Sequence, residues 1–139
     1  MSCILRVAGR SLAIDQLVEV SSLQPYRVDR KGQRGASSRI ATTDGAHFLV
    51  SDCDFRDLDG QVRDAISFLQ TNERALRAIV ASPGVELSIL DFGIAWRDVA
   101  VQVDHLPAEL LRLAGEGGIS VSLSHYPVSE VEQQSAAGA

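Results

Sequence analysis

The sequence predicts an α+β domain, a mixed or antiparallel sheet with helices on one face, in the manner of a ferredoxin-like open-faced sandwich. Three observations carry this expectation. Segments with the two-residue alternation of strands are interleaved with segments of helical periodicity. Asp44-Gly45, ahead of a strand-like run, has the chemistry of a hairpin turn. Residues 85–104 hold two successive alternating runs that read as a second hairpin. Hairpins and helices sharing one sheet define the α+β class. The 139 residues, 45% apolar, suit a single domain. It is placed at residues 1–127, and the small, polar residues 128–139 are expected to form a disordered tail.

The elements follow in order. Cys3-Ile-Leu-Arg-Val-Ala8 reads as a strand ended by Gly9. Ser11 is suited to cap a helix over about residues 12–22, in which Ile14, Leu17 and Val18 share one face. Pro25 forbids its continuation. Residues 27–45 are polar, basic and glycine-containing, with Ile40 read as a short edge strand. His47 to Cys53 is a second strand. Asp57 caps a helix whose Val62, Ala65, Ile66 and Leu69 repeat at helical spacing. Thr71-Asn72 breaks or re-caps it, and Leu76, Ile79 and Val80 carry the stripe on to Ser82-Pro83-Gly84.

In residues 85–96, Val85, Leu87 and Ile89 alternate in one phase and Leu90, Phe92, Ile94 and Trp96 in the other, which predicts a bulge near Ile89-Leu90. Arg97-Asp98 is then the turn, and Val99, Val101 and Val103 the returning strand. Pro107 opens a helix with Leu110, Leu111 and Ala114 inward, ended by Gly115 to Gly118. Ile119, Val121 and Leu123 alternate with serines in a last strand.

Charge singles out one segment. The net charge is −5, yet residues 27–39 hold Arg27, Arg30, Lys31, Arg34 and Arg39 against Asp29, which makes them +4 and leaves −9 for the remainder. An acidic shell with one basic loop argues against general nucleic-acid binding, which needs a broad basic face. Arg27, Arg30, Lys31 and Arg34 are candidates to grip an anionic ligand or partner by charge-assisted hydrogen bonds, although runs of charge more often simply face water. Trp96 and Tyr126, near strand ends, are candidate anchors for a partner, against the commoner role of packing.

Other chemistry is not encoded. Asp52, Asp54, Asp57 and Asp59 miss the spacing of a calcium loop and suit a helix N-terminus. His47, His105 and His125 have no zinc spacing. No nucleophile elbow, dinucleotide fingerprint or phosphate loop occurs. No metal, cofactor or catalytic residue is therefore expected. Cys3 and Cys53 read as buried thiols. Without a signal-peptide pattern or a membrane-length apolar run, the chain reads as cytoplasmic and not membrane-bound.

Over about residues 3–127 the chain resembles, as a divergent member, a bacterial family catalogued as domain of unknown function 4279. The resemblance rests on the opening strand, Leu23-Gln24-Pro25 followed by Lys31-Gly32, the strand from His47 to Ser51, the long helical region ending near Gly84, the Val85 to Trp96 segment, Leu106-Pro-Ala-Glu-Leu110 and a closing strand at Tyr126. It implies an α+β fold and supplies no catalytic residues. Such families include small proteins encoded near toxins. The resemblance therefore implies a non-enzymatic protein-binding module, with an immunity or inhibitor role. The alternatives are a small anionic-ligand-binding protein or enzyme using loop 27–34 and the open sheet face, and a homodimer paired through an edge strand.

Overall fold

Five strands and four helices build the protein in the computed structural model, which describes residues 1–35 and 37–127. The strands are β1 (Cys3–Gly9), β2 (Arg27–Asp29), β3 (Asp44–Ser51), β4 (Leu87–Ala95) and β5 (Ser120–Tyr126). The helices are α1 (Ile14–Ser21), α2 (Leu58–Thr71), α3 (Glu73–Val80) and α4 (Ala108–Glu116). The sheet runs in the order β2-β3-β1-β4-β5. β2/β3, β3/β1 and β1/β4 are antiparallel, and β4/β5 is parallel. Up to β4 this is the β-α-β-β-α-β plan of a ferredoxin-like fold, with the second helix split in two. α4 and β5 are an addition at the β4 edge. The expected α+β sandwich is the observed one. The expected tail at 128–139 lies outside the described residues.

Alternation explains the layering. In β1, Cys3, Leu5 and Val7 are buried, and Ile4, Arg6 and Ala8 face the other way. By register, Leu5 lies beside Phe48 and Leu90, in the layer covered by the helices. Ile14 and Leu17 of α1, Val62, Ala65 and Leu69 of α2, Leu76 and Ile79 of α3 and Leu110 and Ala114 of α4 join that layer in one core. The opposite face is open. On it Arg6 stands between His47 and Ile89, and Ile4 between Leu49 and Asp91.

Helix ends follow local chemistry. The Asp57 carboxylate accepts the Gly60 N–H at 2.9 Å and caps α2. Asn72 ends α2 and opens α3, as the break at Thr71-Asn72 predicts. Ser11 does not cap α1. The helix starts two residues later, with Ala13 at the cap position and no side-chain cap, and it ends where Ser22 turns left-handed (φ 61°). Leu111, expected inward, is exposed.

Three strand expectations are overturned. Residues 85–104 are not a hairpin. β4 already has β1 on one side and β5 on the other, so no hydrogen-bonding edge is left for residues 99–103, which form an irregular crossover to α4. A parallel neighbour requires such a crossover. Second, β4 has no bulge at Ile89-Leu90. Its register with β1 is uninterrupted from Leu87 to Phe92, and Leu87 and Ile89 simply occupy the open face. The one irregularity in the sheet's described ladders lies in β1/β3, between Cys3 and Ile4. Third, Asp44-Gly45 is not a turn but the start of β3, paired with Gly9 and Ala8. A Cβ at Gly45 would lie 3.0 Å from the Val7 carbonyl oxygen, so close strand approach, not turn geometry, calls for glycine there.

Candidate functional site

The basic segment is more ordered than its composition implies. Arg27–Asp29 form β2, opposite His47, Ala46 and Gly45 of β3. Residues 32–35 and 38–41 then run back along one another. The Gly32 N–H donates to the Ala41 carbonyl (2.8 Å), Ala41 to Gln33 (2.9 Å) and Gly35 to Arg39 (2.9 Å). Gly32 (φ 85°) and Ser38 (φ 61°) supply the left-handed turns. Ile40 therefore makes an isolated bridge with Arg34 rather than an edge strand.

This small hairpin and β2 enclose a concavity of about 470 Å³, walled by Arg6, Arg27, Arg30, Arg34 and Arg39 with Asp29. Gln33, Ser37, Thr42 and Thr43 add amide and hydroxyl groups, and Val28 and Ile40 an apolar margin. No aromatic ring is among the described lining residues. Three of the four basic candidates thus converge, joined by Arg39, which belongs to the same basic segment, and by Arg6, which the sequence did not single out. Lys31 does not join them. Its backbone N–H donates to Asp44 Oδ1 at 2.9 Å, and its ammonium reaches the Arg10 carbonyl at 3.5 Å.

The arginines are in two states. Arg30 makes a two-pronged pair with Asp15 of α1, at 3.0 and 2.7 Å. This bond holds the Asp15 carboxyl below the usual carboxylate range. Arg27 Nε donates to Asp29 Oδ1 at 2.9 Å, and Asp29 Oδ2 lies 2.8 Å from His47 Nε2. Burial pushes the Asp29 carboxyl upward, but the hydrogen bonds and charges of His47 and Arg27 outweigh it and leave it lowered. Among the described residues the Arg34 side chain bonds the Ser38 carbonyl alone, at 3.0 Å. Arg6, Arg34 and Arg39 have no carboxylate partner among the described residues. Three arginines without a carboxylate partner and two that have one line the same space, and guanidinium groups pair with anionic oxygens by charge-assisted hydrogen bonds.

Trp96 and Tyr126 lie at the other edge of the sheet. The Trp96 N–H donates to the Tyr126 carbonyl at 2.8 Å. Tyr126 packs edge-on against Phe55, with ring centroids 5.3 Å apart, in a small cluster with Ala95. The Trp96 side chain is 59% exposed. The six candidates are therefore not one site.

Other features have local roles. Asp52 pairs with the Met1 amino group at 2.7 Å, and Asp54 accepts the Arg56 N–H at 2.8 Å. The histidines do not meet: His47 is bound to Asp29 and His125 to Asp104. No cluster able to hold a metal ion occurs among the described residues. Both cysteines are free, but only Cys3 is buried. Burial, with the charges of Asp91 and Asp64, pushes its thiol far upward. Cys53 is half-buried and its thiol lies 3.3 Å from Asp64 Oδ2. No described helix is long and apolar enough to cross a membrane.

Fold and site together define an α+β protein with an arginine-walled concavity at one sheet edge. Compared with known proteins, the chain matches no family model, no curated protein and no solved structure.

Proposed function

We propose that this protein is a binding module whose β2-edge concavity captures a multiply charged anionic group. The carrying observation is the convergence of Arg6, Arg34 and Arg39, without carboxylate partners, on a space already lined by Arg27 and Arg30. Such a group is a phosphate or sulfate ester, or clustered carboxylates. Carried on a protein surface, it makes the module a protein-binding one, which is what an immunity or inhibitor role requires. The resemblance to domain of unknown function 4279 belongs to the same proposal.

Calorimetric titration with pyrophosphate and with a glutamate-rich peptide tests the reading. A charge-assisted hydrogen bond contributes about 1.5–3 kcal/mol, so Arg6→Ala and Arg39→Ala should each weaken binding by roughly ten- to a hundredfold. Lys31→Ala, outside the wall, should change it little. Absence of binding to both probes, or binding indifferent to Arg6 and Arg39, refutes the proposal.

A further inference from the structure

The two edges of the sheet are built differently. β2 is three residues long, carries Arg27 and Asp29, and shares the concavity with residues 33–35 and 39–41. β5 is seven residues long, Ser-Val-Ser-Leu-Ser-His-Tyr, with no lysine, arginine, aspartate or glutamate. Among the described residues it pairs with β4 alone. A free edge strand presents a row of unpaired N–H and C=O groups, and folds normally blunt it with charge, proline, a bulge or a covering segment. β5 has no charge and no proline, and its register with β4 runs unbroken from Ser120 to Tyr126.

An apolar strip stands beside the end of this strand. Trp96 is 59% exposed, Val99 54%, and Val101 and Val103 76% each. Singly exposed apolar residues need no explanation, but these are held outward by a polar inner row. Gln102 Oε1 accepts the Arg97 N–H at 2.9 Å, and Gln102 Nε2 donates to the Ala95 carbonyl at 3.3 Å and to Asp104 Oδ2 at 3.1 Å. Asp104 in turn lies 3.2 Å from His125 Nε2 on β5. The crossover is thus fastened to β5 by its polar side chains, and its valines point away from the core. Leu123, at the middle of β5, is itself 37% exposed.

We infer that β5 pairs antiparallel with β5 of a second copy of this chain, about a two-fold axis at Leu123, to give one continuous ten-stranded sheet. The occupant must offer an extended backbone, because that is what the edge lacks. It must also be apolar beside that backbone, because the strip needs cover. A second copy supplies both, and with no formal charge on the strand, self-pairing sets no like charges opposite one another. The arrangement is isologous and closes as a dimer. It brings the end of α4 and the start of β5 from one copy to the valine strip of the other. A strand edge alone is narrow against the roughly 800 Å² per partner of a stable interface, and the strip widens it. The inference is independent of the arginine concavity, which lies at the opposite edge.

Sedimentation equilibrium on the whole protein tests it. The expected mass is twice the 14.9 kDa of the chain. Leu123→Lys puts like charges on the axis, and Val101→Asp with Val103→Asp charges the strip at positions that the core does not use. Each variant should keep the native circular dichroism spectrum and weaken dimerisation at least tenfold. A monomeric wild type at high micromolar concentration overturns the inference, as does a dimer whose dissociation constant neither variant changes.

Discussion

Asp29 shows how one side chain can set both stability and ligand affinity. It accepts from Arg27 and lies against His47, and its carboxyl is held below the usual range despite the opposing effect of burial. A carboxyl lowered by folding binds fewer protons in the native than in the unfolded state. Its contribution to stability is complete above the ordinary aspartate value of about 4 and is lost as pH falls through the lower folded value. Asp29→Asn should therefore flatten the acid side of the stability profile, measured by urea unfolding at stepped pH. The same substitution removes the one carboxylate in the concavity wall and releases Arg27. Pyrophosphate should then bind more tightly, by roughly tenfold if a single charged contact is gained. Weaker binding would mean that Asp29 serves to hold Arg27 in position rather than to neutralise it.

At the scale of elements, the helices were legible and the strand pairings only partly so. Apolar spacing marked the buried faces of α1, α2 and α3, and Asp57 announced the start of α2. Asp57→Ala should cost about 1 kcal/mol, the usual effect of losing a side-chain cap, with no change in fold by circular dichroism. The 85–104 hairpin was misread because Val99, Val101 and Val103 alternate like a strand. Alternation reports which side chains share a face, not which backbone they bond, and here the inward row is Gln102 and Asp104. Gly93 gives a sharper test of β4. A Cβ there would lie 2.5 Å from the Phe55 ring and 3.0 Å from the Ser2 carbonyl oxygen, which is backbone and cannot rotate away. Gly93→Ala should destabilise the protein by about 1–3 kcal/mol, as overpacking does, measured as a lower urea midpoint with unchanged slope.

At the scale of the whole molecule, the site was half legible for a reason of topology. Arg27, Arg30 and Arg34 lie within eight residues of sequence, and their excess charge is visible in any window. Arg6 is more than twenty residues away, in an apolar strand, and only the order β2-β3-β1 carries it across the open face toward them. Its one trace in the sequence is a charge at the middle of Cys3–Gly9, out of phase with the buried positions. The same topology gathers five of the twelve arginines around one concavity in a chain of net charge −5. A small anion can enter the concavity and meet mainly guanidinium groups, whereas a long polyanion must also meet the remainder of a chain that is net acidic. Pyrophosphate binding should weaken with added salt, since exposed charges are screened over about 10 Å at 0.1 M ionic strength. Duplex DNA should give no gel shift at protein concentrations that saturate with pyrophosphate. Retention of DNA with a steep salt dependence would show that basic groups beyond the concavity take part, and would turn the assignment from a discrete anion site to a nucleic-acid surface.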